Sequence, residues 1–579
     1  MFYLILILLF LKPSFRKEDV GGQIGRGIFG AIIAFVVFYI GNVDRSFSFM
    51  VSVLWLPAIF QLACAVFSNT ASNMRGKDIK SLEARRGVNH SSIFIIIMII
   101  LALVSIGYNL YPYITAGASN LAKMVPVQES AEKVSKINAE HVVVVSPETA
   151  YYEMQKMIGT LPNPSVYKIG ELGVTMMKDS AYYVAPIEVD GFFREITNNE
   201  IPGVICVSAE KPADAKIVNT PSKIAESLMF GHDLQRYLRK FKSNSILFQA
   251  NAEMDDEGNP YYVGSYGHYK YGRKGPVVDG VLLYSFKDGK VTDYSIDKVP
   301  EWVDEVYPSD VSEKYNDYFG TLAKGLLNKI VSKTGVHIPT RWSGETKVEG
   351  LEVNSTEVTG VIDADGKMKW FTDHTNTSNA STTMTGYTLM DMKTGKMIYY
   401  KTAGYINGKG AMNAVDKTLG ANKSNWAPVQ PLFYNLYGYE AWVVPVVNKT
   451  DGALVKVAVV AAQNGYVVLE DNKDNALEGF KNAIAYGKIN ENSNKNANSE
   501  KAEEKAITGK VSRITAVTEE GNTIFYVKLE GINTIYMVNK SAGIDIVLTK
   551  ENDQVEIRYM DIKDNNVVST TKFKNNSVK

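Results

Sequence analysis

One stretch of this chain concentrates side chains that favour binding. Residues 261–275, YYVGSYGHYKYGRKG, contain aromatic rings and cations in close succession. Tyrosine and arginine are enriched where partner proteins bind. The candidate partner-binding residues are therefore Tyr266, His268, Tyr269, Tyr271 and Arg273. The alternative is a hairpin whose alternate tyrosines pack on their own sheet, because tyrosine is a common strand residue.

The side chains needed for catalysis do not occur at the spacings of known catalytic motifs. None of the six histidines belongs to a His-Glu-x-x-His pair, and the chain has no Gly-x-Ser-x-Gly, Walker or dinucleotide-binding sequence. Cys206 has β-branched neighbours, which is typical of a buried strand. The acidic run at Asp255 and Asp256 is typical of a turn and lacks the ligand spacing of an EF-hand. We expect no catalytic residue, no metal and no cofactor.

Composition excludes further classes of protein. Lysine and arginine number 62, as do aspartate and glutamate, whereas a nucleic-acid binder normally has a basic excess on some domain. The two cysteines, Cys64 and Cys206, are too few for a disulfide framework or a cysteine-based metal site. A length of 579 residues predicts several domains.

The N-terminal region, residues 1–116, has the composition of a membrane anchor. Residues 27–43, 47–67 and 92–114 contain no charged side chain, and about 20 apolar residues are enough to cross a bilayer. Residues 2–11 are apolar but shorter, so the number of hydrophobic segments is three to four. No ionisable residue lies inside the three runs, which favours an anchor over a transporter or channel.

Loop charge predicts the orientation of the chain. The loop 68–91 has five cations against two anions, and the loop 12–26 has four cations against two anions. Cationic loops remain cytoplasmic, and three spans place these two loops on the same side. The link at Asp44 and Arg45 and the large region 117–579 are then extracytoplasmic.

The rest of the chain repeats one pattern of elements. The hairpin sequences YSFKDGKVTDY (284–294) and LMDMKTGKMIYY (389–400) each place Asp and Gly in a tight turn between two strands. A helix followed by antiparallel strands recurs about four times. After a stalk at 117–140, the predicted α+β modules are 141–220, 221–305, 306–405 and 406–486.

This arrangement resembles the PepSY family. The resemblance rests on a helix against an antiparallel sheet, a Tyr-x-Val strand and a closing hairpin, for which LMDMKTGKMIYY is the best match. The sequence VAAQNGYVVL lacks the aspartate, and residues 203–209 lack the turn, so the last and first modules depart from the pattern. The resemblance implies an extracytoplasmic inhibitory or regulatory role.

The C-terminal part has a different pattern. Residues 487–506 are rich in Asn, Lys and Glu, which predicts a flexible linker. Residues 507–579 contain about five short strands, which predicts a small β-barrel of OB-like or SH3-like type. Ten cations against nine anions in this part argue against a nucleic-acid partner.

The predicted fold class is therefore α+β, with N-terminal transmembrane helices, PepSY-like modules and a C-terminal barrel. We expect a membrane-anchored extracytoplasmic binding or regulatory protein that is not an enzyme. Its expected partners are the lipid bilayer and an envelope protein or cell-wall component. The alternatives are a cell-wall hydrolase or peptidase with a dispersed active site, and a structural subunit of an envelope complex.

Overall fold

The structure, a computed structural model, divides into two compact units. It describes residues 2–12, 20–74, 82–132, 134–341, 358–378, 380–402, 404–485, 488–489, 503–519, 522–540, 542–561 and 567–578. The first unit contains Met1–Glu132, Pro147–Arg341 and Leu351–Ala403. The second contains Lys133–Ser146, Trp342–Gly350 and Gly404–Lys579.

The N-terminal region is a group of apolar helices. These are α1 (Phe2–Phe10), α2 (Val20–Phe35), α3 (Phe47–Val53), α4 (Trp55–Met74) and α5 (Leu82–Leu110). Three stretches of the described residues are long and apolar enough to cross a membrane: Val20–Ile40, Phe47–Val66 and Phe94–Tyr113. The prediction of three apolar N-terminal helices is confirmed. The first stretch begins earlier than predicted and includes Arg26.

Helix α1 packs antiparallel against α2. The ring of Phe10 contacts Phe29, and the ring of Tyr3 contacts Phe38. Nine helical residues span about 14 Å, roughly half of a hydrocarbon core. The amide of Gln61 donates to the carbonyl oxygens at the end of α1, so this polar side chain stabilises helix packing.

The segment 117–140, expected to be a stalk, contains regular structure. Helix α6 (Thr115–Met124) is followed by strand β1 (Val127–Ser130), which pairs with a later strand of the first unit. Residues 142–145 are buried in the second unit and are not part of a strand. There the Lys473 ammonium donates to the carbonyl oxygens of Glu140 and Val142, at 2.7 and 2.8 Å.

Two antiparallel sheets of the first unit follow. The first sheet has β2 (Tyr167–Ile169), β3 (Gly173–Met177), β4 (Ser180–Val189), β5 (Val204–Ser208) and β6 (Lys216–Val218), with α7 (Pro147–Ile158) against it and α8 (Phe192–Thr197) between β4 and β5. The second sheet has β7 (Ile246–Met254), β8 (Pro260–Tyr271), β9 (Lys274–Ser285) and β10 (Val291–Ser295), preceded by α9 (Leu234–Arg239).

These two sheets share one hydrophobic core. Val184 and Val204 of the first sheet belong to the same buried cluster as Tyr262 and Leu282 of the second. Leu238 of α9 lies in that cluster and is fully buried. The segments 141–220 and 221–305, predicted as separate modules, therefore bury their apolar faces against each other.

The third sheet completes the first unit. It has β11 (Ile338–Pro339), β12 (Thr359–Ile362), β13 (Met368–Thr375), β14 (Met384–Asp391) and β15 (Met397–Lys401), preceded by α10 (Ser309–Leu322). Strand β1 pairs parallel with β15 at its edge. In the turn between β14 and β15, the Asp391 carboxylate accepts from the backbone N–H of Lys393 and Thr394, and Gly395 has a φ of +69°. This is the turn chemistry that the sequence predicts.

The second unit contains a fourth open sheet and a ring of strands. The sheet has β16 (Trp426–Pro428), β17 (Leu432–Leu436), β18 (Tyr439–Asn448), β19 (Leu454–Ala461) and β20 (Val467–Glu470), with α11 (Gly408–Thr418) and α12 (Lys473–Ala485) packed on it. The ring has β21 (Glu503–Glu519), β22 (Asn522–Leu529), β23 (Ile535–Asn539), β24 (Gln554–Asp561) and β25 (Val567–Asn575).

In the ring, each strand pairs with two neighbours in the order β21-β22-β23-β25-β24, and β24 pairs back to β21. The β23–β25 pair is parallel. Val527, Tyr536 and Ile557 fill the interior. Strand β21 begins at Glu503, four residues inside the predicted linker, and most of the linker (490–502) lies outside the described residues.

Three of the sheets share a strand arrangement. In each, two successive short strands pair along one longer strand: β2 and β3 on β4, β11 and β12 on β13, and β16 and β17 on β18. The longer strand then continues through antiparallel pairs. The mixed α-helical and β-sheet class is as predicted.

Candidate functional site

The residues predicted to bind a partner lie near the tip of the β8–β9 hairpin, which contacts the helical anchor. The Arg273 guanidinium donates two hydrogen bonds to the Asp44 carboxylate, at 2.8 and 2.9 Å. Its Cζ lies 4.8 Å from the centre of the Tyr269 ring. The Tyr271 ring lies 6.3 Å from that of Tyr111, at the end of the third apolar stretch. Three of the five predicted residues thus lie in a contact within this chain.

Asp44 is the buried partner in this contact. It lies in the link between the first two apolar stretches and is 3% exposed. Burial opposes its ionisation, but hydrogen bonds from Arg273 and Ser46 outweigh burial and hold the pKa of Asp44 below its usual value. The pair is therefore charged at neutral pH, and two parallel N–H···O bonds fix its geometry.

The hairpin tip itself touches the ends of two apolar stretches. The carbonyl oxygen of Gly272 accepts from the hydroxyls of Ser48 and Tyr108, at 3.0 and 3.2 Å. Gly272 has a φ of +58°, and a Cβ there would lie 2.8 Å from the Tyr108 carbonyl oxygen. This close approach requires glycine. Residues 269–273 of the hairpin thus contact the N-terminal helices. We call this set of contacts the anchor contact.

The other two predicted residues differ from each other. Tyr266 is buried in the shared core, and its hydroxyl donates to Asp293 at 2.8 Å. His268 is exposed and lies 2.9 Å from Asp279 on the neighbouring strand. Packing on the sheet, the alternative interpretation of this stretch, thus describes Tyr266 but not His268.

A separate open cleft lies on the second sheet and was not predicted as a site. Its volume is about 240 Å³. Three partly exposed aromatic rings form its walls, and it is lined by Tyr261, Leu283, Ser285, Asp288, Lys290, Thr292, Tyr294, Pro300 and Trp302. The rings of Tyr261 and Trp302 are 4.8 Å apart between centroids. We call this the aromatic cleft.

The strand register brings these side chains to one face. Tyr261 on β8 lies opposite Ser285 on β9, and Leu283 on β9 lies opposite Thr292 on β10. Because side chains alternate along a strand, residues 261, 283, 285, 292 and 294 project from the face opposite the shared core. Five of the lining residues, between 285 and 294, belong to the hairpin whose sequence recurs at 389–400.

The wall containing Trp302 belongs to a segment held from several directions. The Glu253 carboxylate of β7 accepts from the backbone N–H of Asp304 and of Glu305, each at 3.0 Å. The Ser265 hydroxyl of β8 donates to the Val306 carbonyl oxygen at 2.8 Å. We call residues 299–308 the covering segment.

The first and third sheets hold the same segment. The Asp304 carboxylate accepts from the backbone N–H of Met176 on β3 at 2.6 Å. The Trp370 indole of β13 donates to the Tyr307 carbonyl oxygen at 2.7 Å. The Lys393 ammonium donates to the carbonyl oxygen of Pro300 at 2.8 Å. Contacts with three sheets therefore fix the position of Trp302.

The electrostatics of the cleft suit binding of a polar, ring-containing ligand. Asp288 and Lys290 form an exposed ion pair of 3.5 Å at the rim. Burial raises the pKa of Tyr261, and Asp255 raises it further, so its hydroxyl remains a hydrogen-bond donor at neutral pH. Aromatic faces, hydroxyls and one ion pair can stack on and hydrogen-bond a ligand. Among the described residues, no group of three or more His, Cys, Asp or Glu is placed to hold a metal ion.

Two of the six histidines form a buried pair beneath α10. The Asn316 amide oxygen accepts from His374 Nε2 at 2.9 Å, which leaves neutral His374 Nδ1 as an acceptor for His337 Nδ1 at 2.9 Å. The His337 ring stacks on Tyr399. Burial lowers the pKa of His337 to about 4 and that of His374 well below its usual value. Both rings are neutral at neutral pH; His374 is buried and His337 is half-buried.

The sequence contained a signal for the aromatic cleft. Ser285, Thr292 and Tyr294 alternate with residues of the opposite face, as expected for an open strand face. Trp302 carried no such signal, because its position depends on contacts with strands far away in sequence. The contact of Asp44 with Arg273 could not be predicted either, since Asp44 lies 229 residues earlier in the sequence.

Comparisons with known proteins identify no relative. No protein-family model and no curated protein matches the chain. The chain is similar at 11% identity to an endo-arabinase from Bacteroides thetaiotaomicron VPI-5482, with 64% of this chain and 93% of that chain covered and a TM-score of 0.18. It is similar at 11% identity to the GH32 beta-fructofuranosidase BmSUC1 of Bombyx mori, with 72% and 78% covered and a TM-score of 0.16. TM-scores this low carry no argument about fold or function.

Proposed function

We propose that this chain is a membrane-anchored, extracytoplasmic binding or regulatory protein that engages an envelope protein or a cell-wall component. The observation that carries the proposal is the aromatic cleft: an open site with aromatic walls and a polar rim, held rigidly by the covering segment. Such a site offers stacking and hydrogen bonding. Its function is then recognition without covalent chemistry.

The contacts of the anchor support the proposed placement. The link at Asp44 and the β8–β9 hairpin touch each other, so both lie on one side of the apolar helices. The two cationic segments, 12–26 and 68–91, lie in sequence at the opposite ends of the apolar stretches, and residues 20–26 of the first segment already belong to the first stretch. Cationic loops favour the cytoplasm. The second sheet and its cleft, at the opposite ends of the helices, would then be extracytoplasmic.

The strand arrangements support the proposed domain types. The shared order of three sheets, with a helix beside each, is consistent with repeated PepSY-like modules. A five-stranded ring with a parallel pair between its third and fifth strands is consistent with an OB-like barrel. On this proposal, the modules carry the binding surface, and the resemblance to PepSY implies that binding regulates the partner.

Binding by the purified full-length chain in detergent tests the proposal. The probes are cell-wall sacculi, measured by co-sedimentation, and solubilised envelope proteins, measured by immobilised capture. Trp302→Ala and Tyr261→Ala should each weaken binding to one probe by about tenfold, the effect of a moderate hot spot. Unchanged binding to both probes would show that the aromatic cleft is not the binding site.

A matched control is available on the fourth sheet. Tyr466 is a partly exposed tyrosine in the turn between β19 and β20, outside the lining of the cleft. Tyr466→Ala should leave binding at the wild-type level. The melting temperature of each variant separates lost binding from lost folding.

A further inference from the structure

Two sets of large apolar side chains are exposed beside cations in the first unit. Leu327, Ile330 and Val331, after α10, are 65%, 62% and 76% exposed. Phe230 and Phe241, before and after α9, are 60% and 47% exposed. We call Leu327, Ile330 and Val331 the α10 set, and Phe230 and Phe241 the α9 set. Large exposed apolar side chains are candidates for an interaction surface, so the position of each set decides what it contacts.

The α9 set lies at the level where the first apolar stretch ends. The Arg236 guanidinium donates to the Tyr39 carbonyl oxygen at 2.7 Å, and its Cζ lies 4.7 Å from the centre of that ring. Arg239 donates to the Asn42 carbonyl oxygen at 3.0 Å. Two residues after Phe241, the Ser243 carbonyl oxygen accepts from the backbone N–H of Arg45 at 2.7 Å. These contacts fix α9 against the end of a membrane-spanning helix.

The α10 set lies at the same level. Tyr315 contacts Pro276 and, one turn later, Tyr318 contacts Gly275, so α10 runs towards the hairpin tip at Gly272. That tip contacts the anchor. The C-terminal end of α10 therefore points at the anchor.

Residues after α10 remain at this end. Gly325 has a φ of +81° and turns the chain, and Asn328–Ser332 forms a short π-helical turn. The Lys329 ammonium lies 3.5 Å from the Asp317 carboxylate of α10. The exposed apolar set is thereby held beside the membrane end of the helix.

The chain is cationic in sequence around both sets. Residues 323–337 contain Lys324, Lys329 and Lys333 and no acidic residue. Residues 229–245 contain four cations against Asp233; of these four, Arg239 is buried, Lys242 pairs with Asp293 at 2.7 Å, and Lys240 is exposed. Apolar side chains flanked by lysine and arginine at a bilayer surface bind the layer between headgroups and acyl chains and favour anionic lipids.

We propose that the α9 set and the α10 set rest in the headgroup layer of the bilayer, against anionic phospholipid. The second and third sheets would then be held at the membrane by lipid as well as by the anchor contact. Both sets adjoin the ends of the spanning helices, one through the contact of Arg236 with Tyr39 and the other through the hairpin tip at Gly272. The bilayer is therefore the surface that they would meet.

Lipid-borne quenchers test the proposal on the full-length chain in nanodiscs. Both native cysteines are replaced by alanine, and a fluorophore is attached at Leu327→Cys, Val331→Cys or Phe241→Cys. The control is Lys287→Cys, exposed at the opposite end of β9 from the hairpin tip. Nitroxide-labelled phospholipid should quench the first three sites at least about threefold more than the control, because only they lie in the interface. Equal quenching at all four sites would overturn the proposal.

The lysines test the lipid preference. In nanodiscs of mixed neutral and anionic phospholipid, Lys324→Gln, Lys329→Gln and Lys333→Gln together should reduce quenching at position 327 to its level in neutral lipid. Quenching that is the same with and without anionic lipid would overturn the preference for anionic headgroups. Melting temperatures near that of the parent chain confirm that each variant is folded.

Discussion

At the residue scale, the Arg273–Asp44 pair joins the second sheet to the anchor. Truncating the guanidinium in Arg273→Ala leaves a buried carboxylate without its partner, which costs about 3–5 kcal/mol. We expect a clear fall in the melting temperature of the full-length chain in detergent. Arg273→Lys keeps the charge but loses the two-pronged hydrogen-bond donor. Its melting temperature should therefore lie between those of the wild type and Arg273→Ala.

Lys270, exposed near the end of β8 and three residues before Arg273, provides the control for this pair. Lys270→Ala should have the melting temperature of the wild type. An unchanged melting temperature for Arg273→Ala would mean that the anchor contact contributes no stability, and would return Arg273 to its predicted role in partner binding.

The buried histidine pair predicts how stability depends on pH. Its pKa values are lowered in the folded chain, to about 4 for His337, whereas an unfolded histidine titrates near 6.5. The unfolded pair therefore binds more protons than the folded pair between about pH 4 and 6.5, so the contribution of the pair to stability falls as the pH falls through this window. The melting temperature of His337→Gln relative to that of the wild type should therefore rise as the pH falls across this range.

A difference in melting temperature between His337→Gln and the wild type that stays constant across this window would contradict the assignment of two neutral rings.

At the element scale, the Glu253 carboxyl group is one of several contacts that hold the covering segment. Glu253→Ala removes the acceptor for the backbone N–H of Asp304 and of Glu305. A buried donor left without an acceptor costs about 1–3 kcal/mol. The variant should melt at a lower temperature and, since Trp302 is carried by this segment, lose binding at the aromatic cleft. Wild-type binding by Glu253→Ala would show that the cleft is held without it.

Local patterns predicted the elements better than their arrangement. Apolar runs identified the three stretches that are long enough to cross a membrane, and the Asp391 and Gly395 turn followed from side-chain and backbone chemistry within five residues. The shared core of the first two sheets and the covering segment could not be predicted, because both depend on contacts between distant strands. The anchor contact was missed for the same reason.

At the scale of the whole molecule, the proposed orientation is directly testable. Protease added to intact cells or protoplasts should digest the region 117–579 and leave the loop 68–91 protected. Antibodies against a tag in each segment would follow the two fragments. Protection of 117–579, with cleavage in 68–91 before the membrane is opened, would reverse the orientation.

Strand β1 has a consequence for how the chain is assembled. Val127 follows soon after the last apolar stretch, yet its partner Met397 is made 270 residues later. Closing a loop of that length is slow, since sequence-distant pairs form late. During synthesis, β1 must therefore remain without its partner strand until β15 has been made.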